Sequence, residues 1–299
     1  SAINRALWAG GLKSLVSADR AYVILKKDAI YSHKLAASEL NVSIQSEESF
    51  VRYANSIASN FDRDVSYLDN IDIWDSFIGI RQSEPILSDI LWFITTQAAL
   101  ERSGPKGIRS GLYLLLRAAP ELDPRKPLHR LLFGSYLSAF LIFLSLSATS
   151  LMEIFQFQME KDSFEKTIRY FVWEGRENYQ NRRNMKAAID KSKGDISATD
   201  FDLPEWQRFL NLIRMFLDAP ESLAELPFLM KEISFRIVSG YRDEPDDHLR
   251  NLFRKNNRAR QFIYATGKYI VQAANLPKEF SQLIEVEIND LLNSGISVA

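Results

Sequence analysis

LLFGSYLSAFLIFLSLSATSLM, Leu131 to Met152, runs 22 residues without a charged side chain, and no other part of the chain stays uncharged for so long. A helix that is apolar on nearly every side must be enclosed by other helices or by lipid. The stretch is long enough to cross a bilayer. Arg125, Lys126 and Arg130 before it and Glu153 after it give the charge asymmetry of an N-terminus held in the cytoplasm. Six of its residues are Ser or Thr (Ser135, Ser138, Ser145, Ser147, Thr149, Ser150), whose hydroxyls can bond back to the preceding turn in either setting. Small residues four apart, Gly134 with Ser138 and Ser145 with Thr149, let neighbouring helices approach closely. The deciding feature is the company. Flanking segments each present an apolar stripe that needs a partner, and a lone span would strand those stripes in water. The stretch is therefore expected to be the buried core helix of a soluble, all-α protein, with no membrane partner.

Outward from this helix, caps and breakers divide the chain into about a dozen helical segments. SADRAYVILKKDAIYSHKLAASEL places Tyr22, Leu25, Ile30, Leu35 and Leu40 on roughly one face; its Tyr22–Leu25 cluster suits a short strand too, but the long periodic context favours helix. Ser46 before Glu47 and Glu48 has the form of an N-cap with first-turn acids. Ser83 with Pro85 opens an apolar helix through Leu100 that Gly104-Pro105 ends, and Asp162 with Glu165 has capping-box spacing at the head of a long polar helix. PELDPRKP, with three prolines in eight residues, is the best boundary in the first half. The expected architecture is a multi-helix bundle around the central apolar helix, with two abutting helical subdomains, 1–122 and 123–299. The second contains the central buried helix, 128–157. No internal repeat of fixed period is present, against a regular solenoid.

Composition excludes several function classes. The 299 residues are 46% hydrophobic and 25% charged, enough to bury a real core, and 37 basic against 38 acidic residues leave a net charge of −1. No global field draws the molecule to nucleic acid or anionic lipid. Cysteine is absent, which removes disulfides, thiolate metal sites and cysteine nucleophiles, and fits a reducing, cytoplasmic location. The three histidines, His33, His129 and His248, lack metal-ligand spacing, and neither a nucleophile elbow nor a P-loop occurs. No cofactor or metal is expected. The N-terminus begins without Met, already in amphipathic register, as an excised domain would.

Chemistry is sought first in the segment after Pro245. Read as one helix, it places Leu249, Leu252, Ala259, Ile263 and Ile270 on one face and Arg250, Arg254 and Arg258 in an opposite stripe, with Lys255 at its flank. Such a stripe would dock a protein partner or track the phosphates of RNA or DNA. Immediately upstream, Arg242 and His248 stand five residues apart with a polar residue after the arginine. This resembles the R-x(4–6)-H signature of the HEPN superfamily, helical domains many of which are metal-independent ribonucleases, usually acting across a dimer. The resemblance covers this one short motif. It implies His248 as general acid or base and Arg242 as the group that stabilises charge on the pentacovalent phosphate. Four acids beside the pair, Asp243, Glu244, Asp246 and Asp247, depart from what an incoming phosphate would favour.

A further acidic run includes Asp62, Asp64, Asp69, Asp72 and Asp75. Helical enzymes that hold Mg²⁺ against a diphosphate pair two such faces, and the second is missing, so a solvated face with Ile71, Ile73 and Trp74 turned inward is expected. Glu285, Glu287 and Asp290 are likewise expected to face solvent. With no complete catalytic constellation, the leading expectation is a helical protein-interaction module without its own catalysis, part of a larger protein or complex. The alternatives are a HEPN-like ribonuclease using Arg242 and His248, and a non-catalytic helical nucleic-acid-binding protein.

Overall fold

The computed structural model describes residues 2–18, 21–27, 29–48, 50, 66–152, 160–192, 202–240 and 246–294. The chain divides into two compact units, Ser1–Asp64 and Val65–Ala299. The proline-rich PELDPRKP turn lies inside the second unit, between two helices that pack on each other.

The first unit runs α1 (Ala2–Leu15), β1 (Ala21–Leu25), α2 (Tyr31–Ser38), β2 (Val42–Ser46). The two strands are parallel, in register from Ala21 opposite Val42 to Leu25 opposite Ser46. Tyr22–Leu25 is thus strand, not the helix that the surrounding periodicity favours: AYVIL is aromatic and β-branched, and its partner VSIQS alternates apolar with polar. Val23, Val42 and Ile44 form a small core with Ala6 of α1 and Ala37 of α2. Ser46 closes β2 immediately before a helical turn at Glu47.

The second unit is all helical among its described residues. It comprises α3 (Ile71–Ser83), α4 (Pro85–Leu100, with a π-turn at Phe93–Gln97), α5 (Gly104–Ala118), α6 (Pro127–Met152), α7 (Lys161–Val172), α8 (Arg176–Ser192), α9 (Trp206–Asp218), α10 (Leu226–Arg236), α11 (Asp247–Lys255), α12 (Ala259–Ala273) and α13 (Glu279–Asn293). The central helix is α6. It packs most extensively on α10 and α5, and also meets α9, α3, α12 and α13. Of its most apolar 18-residue window, 83% is buried inside the protein.

Close approach is encoded by small residues. A Cβ placed on Gly134 would lie 2.5 Å from Cβ of Ser234 on α10, and one on Gly107 of α5 would lie 2.2 Å from the Phe143 ring. Only glycine admits these crossings. The hydroxyls behave as the sequence suggests. Ser145, Thr149 and Ser150 donate to carbonyls one turn back at 2.8, 3.0 and 3.1 Å, while Ser138 reaches across to the Pro227 carbonyl at 2.7 Å.

Several helix boundaries differ from expectation. The polar helix after Asp162 begins at Lys161, with Asp162 in its first turn and no side-chain cap. It then breaks into α7 and α8 where Glu174 and Gly175 take positive φ (58° and 124°). Glycine at a left-handed position ends a helix, and the carbonyl of Tyr170 is satisfied by the Gly175 N–H. Ser83 ends α3 instead of capping α4. Gly104 and Pro105 open α5, where Ser103 accepts from the Lys106 N–H at 3.2 Å. The segment after residue 245 is two helices, because Asn256 leaves helical geometry and its side chain bonds to the Ser222 carbonyl at 2.8 Å.

Candidate functional site

The break at Asn256 reshapes the arginine stripe. Arg250 is buried: its guanidinium donates to the Leu291 carbonyl at 3.1 Å, to Ser294 Oγ at 3.0 Å and to Asp247, tying α11 to the C-terminal end of α13. Arg254 and Lys255 are exposed on the last turn of α11, and Arg258 is exposed in the turn before α12. These three have no ion-pair partner among the described residues. The apolar half of the reading is correct, since Leu249, Leu252, Ala259, Ile263 and Ile270 are all buried.

Arg242 lies outside the described residues. His248 sits in the first turn of α11, partly buried, with Nε2 enclosed and without a hydrogen-bond partner among the described residues. Its helix is capped by Asp246, whose Oδ1 accepts from the Leu249 N–H at 2.8 Å. His129 has a structural role: Nδ1 accepts from the Asp123 N–H at 3.0 Å, so Nε2 carries the proton and faces Glu84 Oε1 at 3.0 Å. The pair secures the PELDPRKP turn ahead of α6.

Asp62 and Asp64 lie outside the described residues. Asp69, Asp72 and Asp75 are exposed, and Asp69 Oδ2 accepts from the Ser66 N–H at 3.2 Å in a capping box. Ile71 is exposed, contrary to expectation, whereas Ile73 and Trp74 pack on the core. No group of three or more His, Cys, Asp or Glu that could hold a metal occurs among the described residues.

What the sequence reading missed is a polar network in the interior, carried by α10. Arg236 and Glu287, each 1% exposed, pair at 2.9 Å between α10 and α13. Glu287 is therefore buried, not solvent-facing. Arg236 also donates to the Tyr67 hydroxyl at 2.6 Å, and Tyr67 in turn bonds to Asp246. Burial raises the Tyr67 pKa, as does the Asp246 carboxylate, against the opposing pull of Arg236. Glu232, also buried, accepts from Ser66 Oγ and from the Tyr67 N–H at 3.1 Å. Lys231, the residue before Glu232, reaches into an aromatic box with Nζ 5.0 Å from the Trp74 ring centroid, 5.3 Å from Phe235 and 5.6 Å from Phe77, and donates to Ser135 Oγ at 2.8 Å. Desolvation lowers its pKa to about 8. The signal was positional. Glu287 falls in the apolar register of Phe280, Ile284 and Leu291, and Arg236 in that of Leu229 and Ile233.

This network ties the 66–69 turn to α10, α11 and α13. A surface groove of about 250 Å³ between α9 and α12 is lined by Leu212, Met215 and Ala265 with Arg208 and Lys268. Those two cations are already paired, with Glu205 at 3.0 Å and Glu285 at 2.9 Å. No protein-family model matches the chain, and comparisons with curated proteins and with solved structures gave no significant match.

Proposed function

We propose that the chain is a helical protein-interaction module without its own catalysis. The observation that carries this reading is on α6. Ile142 and Leu146, one turn apart, are each 37% exposed, on the one face of α6 that reaches solvent, beside Ser145, Thr149 and Ser150. The helices packed beside it, α4 and α5, carry further exposed apolar side chains, Trp92, Leu100, Tyr113 and Leu116. Apolar residues at one-turn spacing on neighbouring helices suit a partner's groove or helix better than they suit solvent. The test is to purify the native complex and compare Ile142→Lys/Leu146→Lys with the unaltered chain. Loss of the partner with unchanged helicity and thermal unfolding supports the reading; retention with unchanged affinity overturns it.

A second reading, binding of RNA or DNA, is favoured by one observation: Arg254, Lys255 and Arg258 are exposed cations without ion-pair partners among the described residues, clustered at the α11–α12 corner. Binding of a labelled single-stranded RNA that falls steeply with salt, and is lost in an Arg254/Lys255/Arg258→Ala triple variant, would support it. Cleavage of that RNA abolished by His248→Ala would move the reading to a ribonuclease.

A further inference from the structure

Helix α8, RENYQNRRNMKAAIDKS, gives almost nothing to the core. Of its described side chains, residues 176–188, Tyr179 alone is buried, and Met185 is 67% exposed. A helix that is polar on all sides gains little from packing, so its surface composition answers to something other than the protein interior. The root of the helix, by contrast, is fixed. Tyr179 packs on Tyr170 of α7 with ring centroids 5.8 Å apart, and the Trp173 ring is flanked by the guanidiniums of Arg182 at 5.4 Å and of Arg109, from α5, at 5.3 Å. Glu174 in the turn is held by Arg109 at 2.6 Å.

The outward surface is patterned. At 100° per residue Glu177, Asn181, Asn184 and Ala188 lie opposite Tyr179 with Gln180 beside them, and all five are exposed. Arg182 lies on one flank of the Tyr179 side and Arg176 with Arg183 on the other, all exposed as well. The guanidiniums of Arg176 and Arg183 and the side-chain amides of Gln180, Asn181 and Asn184 have no hydrogen-bond or ion-pair partner among the described residues. With Lys186 included, four cations stand against one carboxylate over residues 176–188.

Amides along the outward line and arginines on both flanks meet the two demands of a nucleic-acid duplex. Asn and Gln bond the N6/N7 edge of adenine, a small side chain such as Ala188 meets the thymine methyl, and Arg takes the phosphates that wall the groove. The major groove of DNA, about 12 Å wide, admits a helix about 10–12 Å across, and the 17 residues of α8 extend about 25 Å. A bilayer surface would ask instead for an apolar face opposite the charges, which Met185 alone does not make.

We propose that α8 is a reading helix for the major groove of double-stranded DNA, with Asn181 and Asn184 on base edges and Arg176, Arg182 and Arg183 on the flanking phosphates. Glu177, at the head of the outward line, fits a cytosine amino group. This goes beyond both readings above, because it assigns a surface that neither uses, so failure of either of their experiments leaves its own test intact.

The probe is a fluorescein-labelled DNA duplex of twenty base pairs with a random ten-pair core. It is selected over several rounds on the full 299-residue chain, then titrated by anisotropy as one enriched sequence against the unselected pool. A core with at least one invariant A·T pair is expected. Asn181→Ala/Asn184→Ala should reduce the preference for that core about tenfold and leave pool binding nearly unchanged. Arg176→Ala/Arg182→Ala/Arg183→Ala should weaken binding to both, and the slope of log K on log salt should fall in magnitude by about 2.7 for three lost phosphates. Arg176→Lys/Arg183→Lys keeps the charges and should keep the slope, while circular dichroism and the urea midpoint report that each variant is folded. The same sequence as duplex RNA, whose deep, narrow major groove shuts a helix out, should bind without the preference. No invariant A·T pair, a preference untouched by the asparagine variant, or an equal preference for the RNA duplex overturns the proposal. Binding abolished by Arg254/Lys255/Arg258→Ala and indifferent to both alanine variants of α8 places the nucleic acid at the α11–α12 corner, and overturns it too.

Discussion

Replacing Lys231 by methionine isolates the cost of holding an ammonium among Trp74, Phe77 and Phe235. Burial displaces the lysine pKa from its ordinary 10.5 to about 8. At about 1.36 kcal/mol per pH unit this is a penalty of about 3 kcal/mol on the charged folded form, an upper figure for a side chain that stays partly exposed. Below pH 8 both folded and unfolded chains carry the proton, and the folded state bears the whole penalty. Between pH 8 and 10.5 the folded protein loses the proton while the unfolded chain keeps it, so the stability gained is complete only above 10.5 and is lost as pH falls through 8. Lys231→Met removes the charge while keeping an unbranched side chain in the aromatic box. It gives up the bond to Ser135 Oγ, worth about 1 kcal/mol. Urea denaturation of both proteins at half-unit steps from pH 6.5 to 10.5 is the assay. The variant should be the more stable by about 2 kcal/mol at pH 7, and the difference should shrink steadily above pH 8. Other groups titrate in both proteins and cancel in the difference. A difference that stays flat with pH refutes the reasoning, because it means the ammonium is not desolvated.

Two further outcomes follow from the packing around α6 and α10. Gly134→Leu forces α6 away from Ser234, where even a Cβ has no room, and should cost more than about 2 kcal/mol in a urea melt; an unchanged midpoint would show that the crossing is loose. Arg236→Met alone leaves the Glu287 carboxylate buried beside a thioether and should cost about 3–5 kcal/mol, while Arg236→Met with Glu287→Leu should recover most of that loss, read by a double-mutant cycle in the same melts.

How far the fold could be read depended on whether residue type and residue position agreed. In α6 they agree: the absence of charge from Leu131 to Met152 is a statement about burial, and 83% of its most apolar window is enclosed by the helices around it. In α10 and α13 they conflict. Arg236 and Glu287 sit at core positions of amphipathic helices, but their side-chain type points to solvent, and only the partner on the other helix makes their burial tolerable. A pairing between residues 51 apart in sequence has no local signature. The same holds for β1, where five apolar residues fit a strand or a buried helix until β2 supplies the parallel partner. The breaks at Glu174–Gly175 and at Asn256 fall inside patterns that continue periodic on both sides, so periodicity alone does not reveal them. PELDPRKP shows the converse: its prolines announce where a helix must stop, and α5 ends there before α6 begins. For the candidate site, Arg254, Lys255 and Arg258 were legible as exposed cations, whereas the burial of Arg250 depended on the end of α13 folding back over it.

The claim beneath the whole account is that α6 is enclosed by protein. Amide hydrogen exchange of the purified chain in aqueous buffer, without detergent or lipid, tests this most directly. Amides from Leu131 to Leu144, flanked by α5 and α10, should be among the last to exchange, opening only with global unfolding. Rapid exchange along that segment in buffer, slowed only when detergent is added, would contradict it.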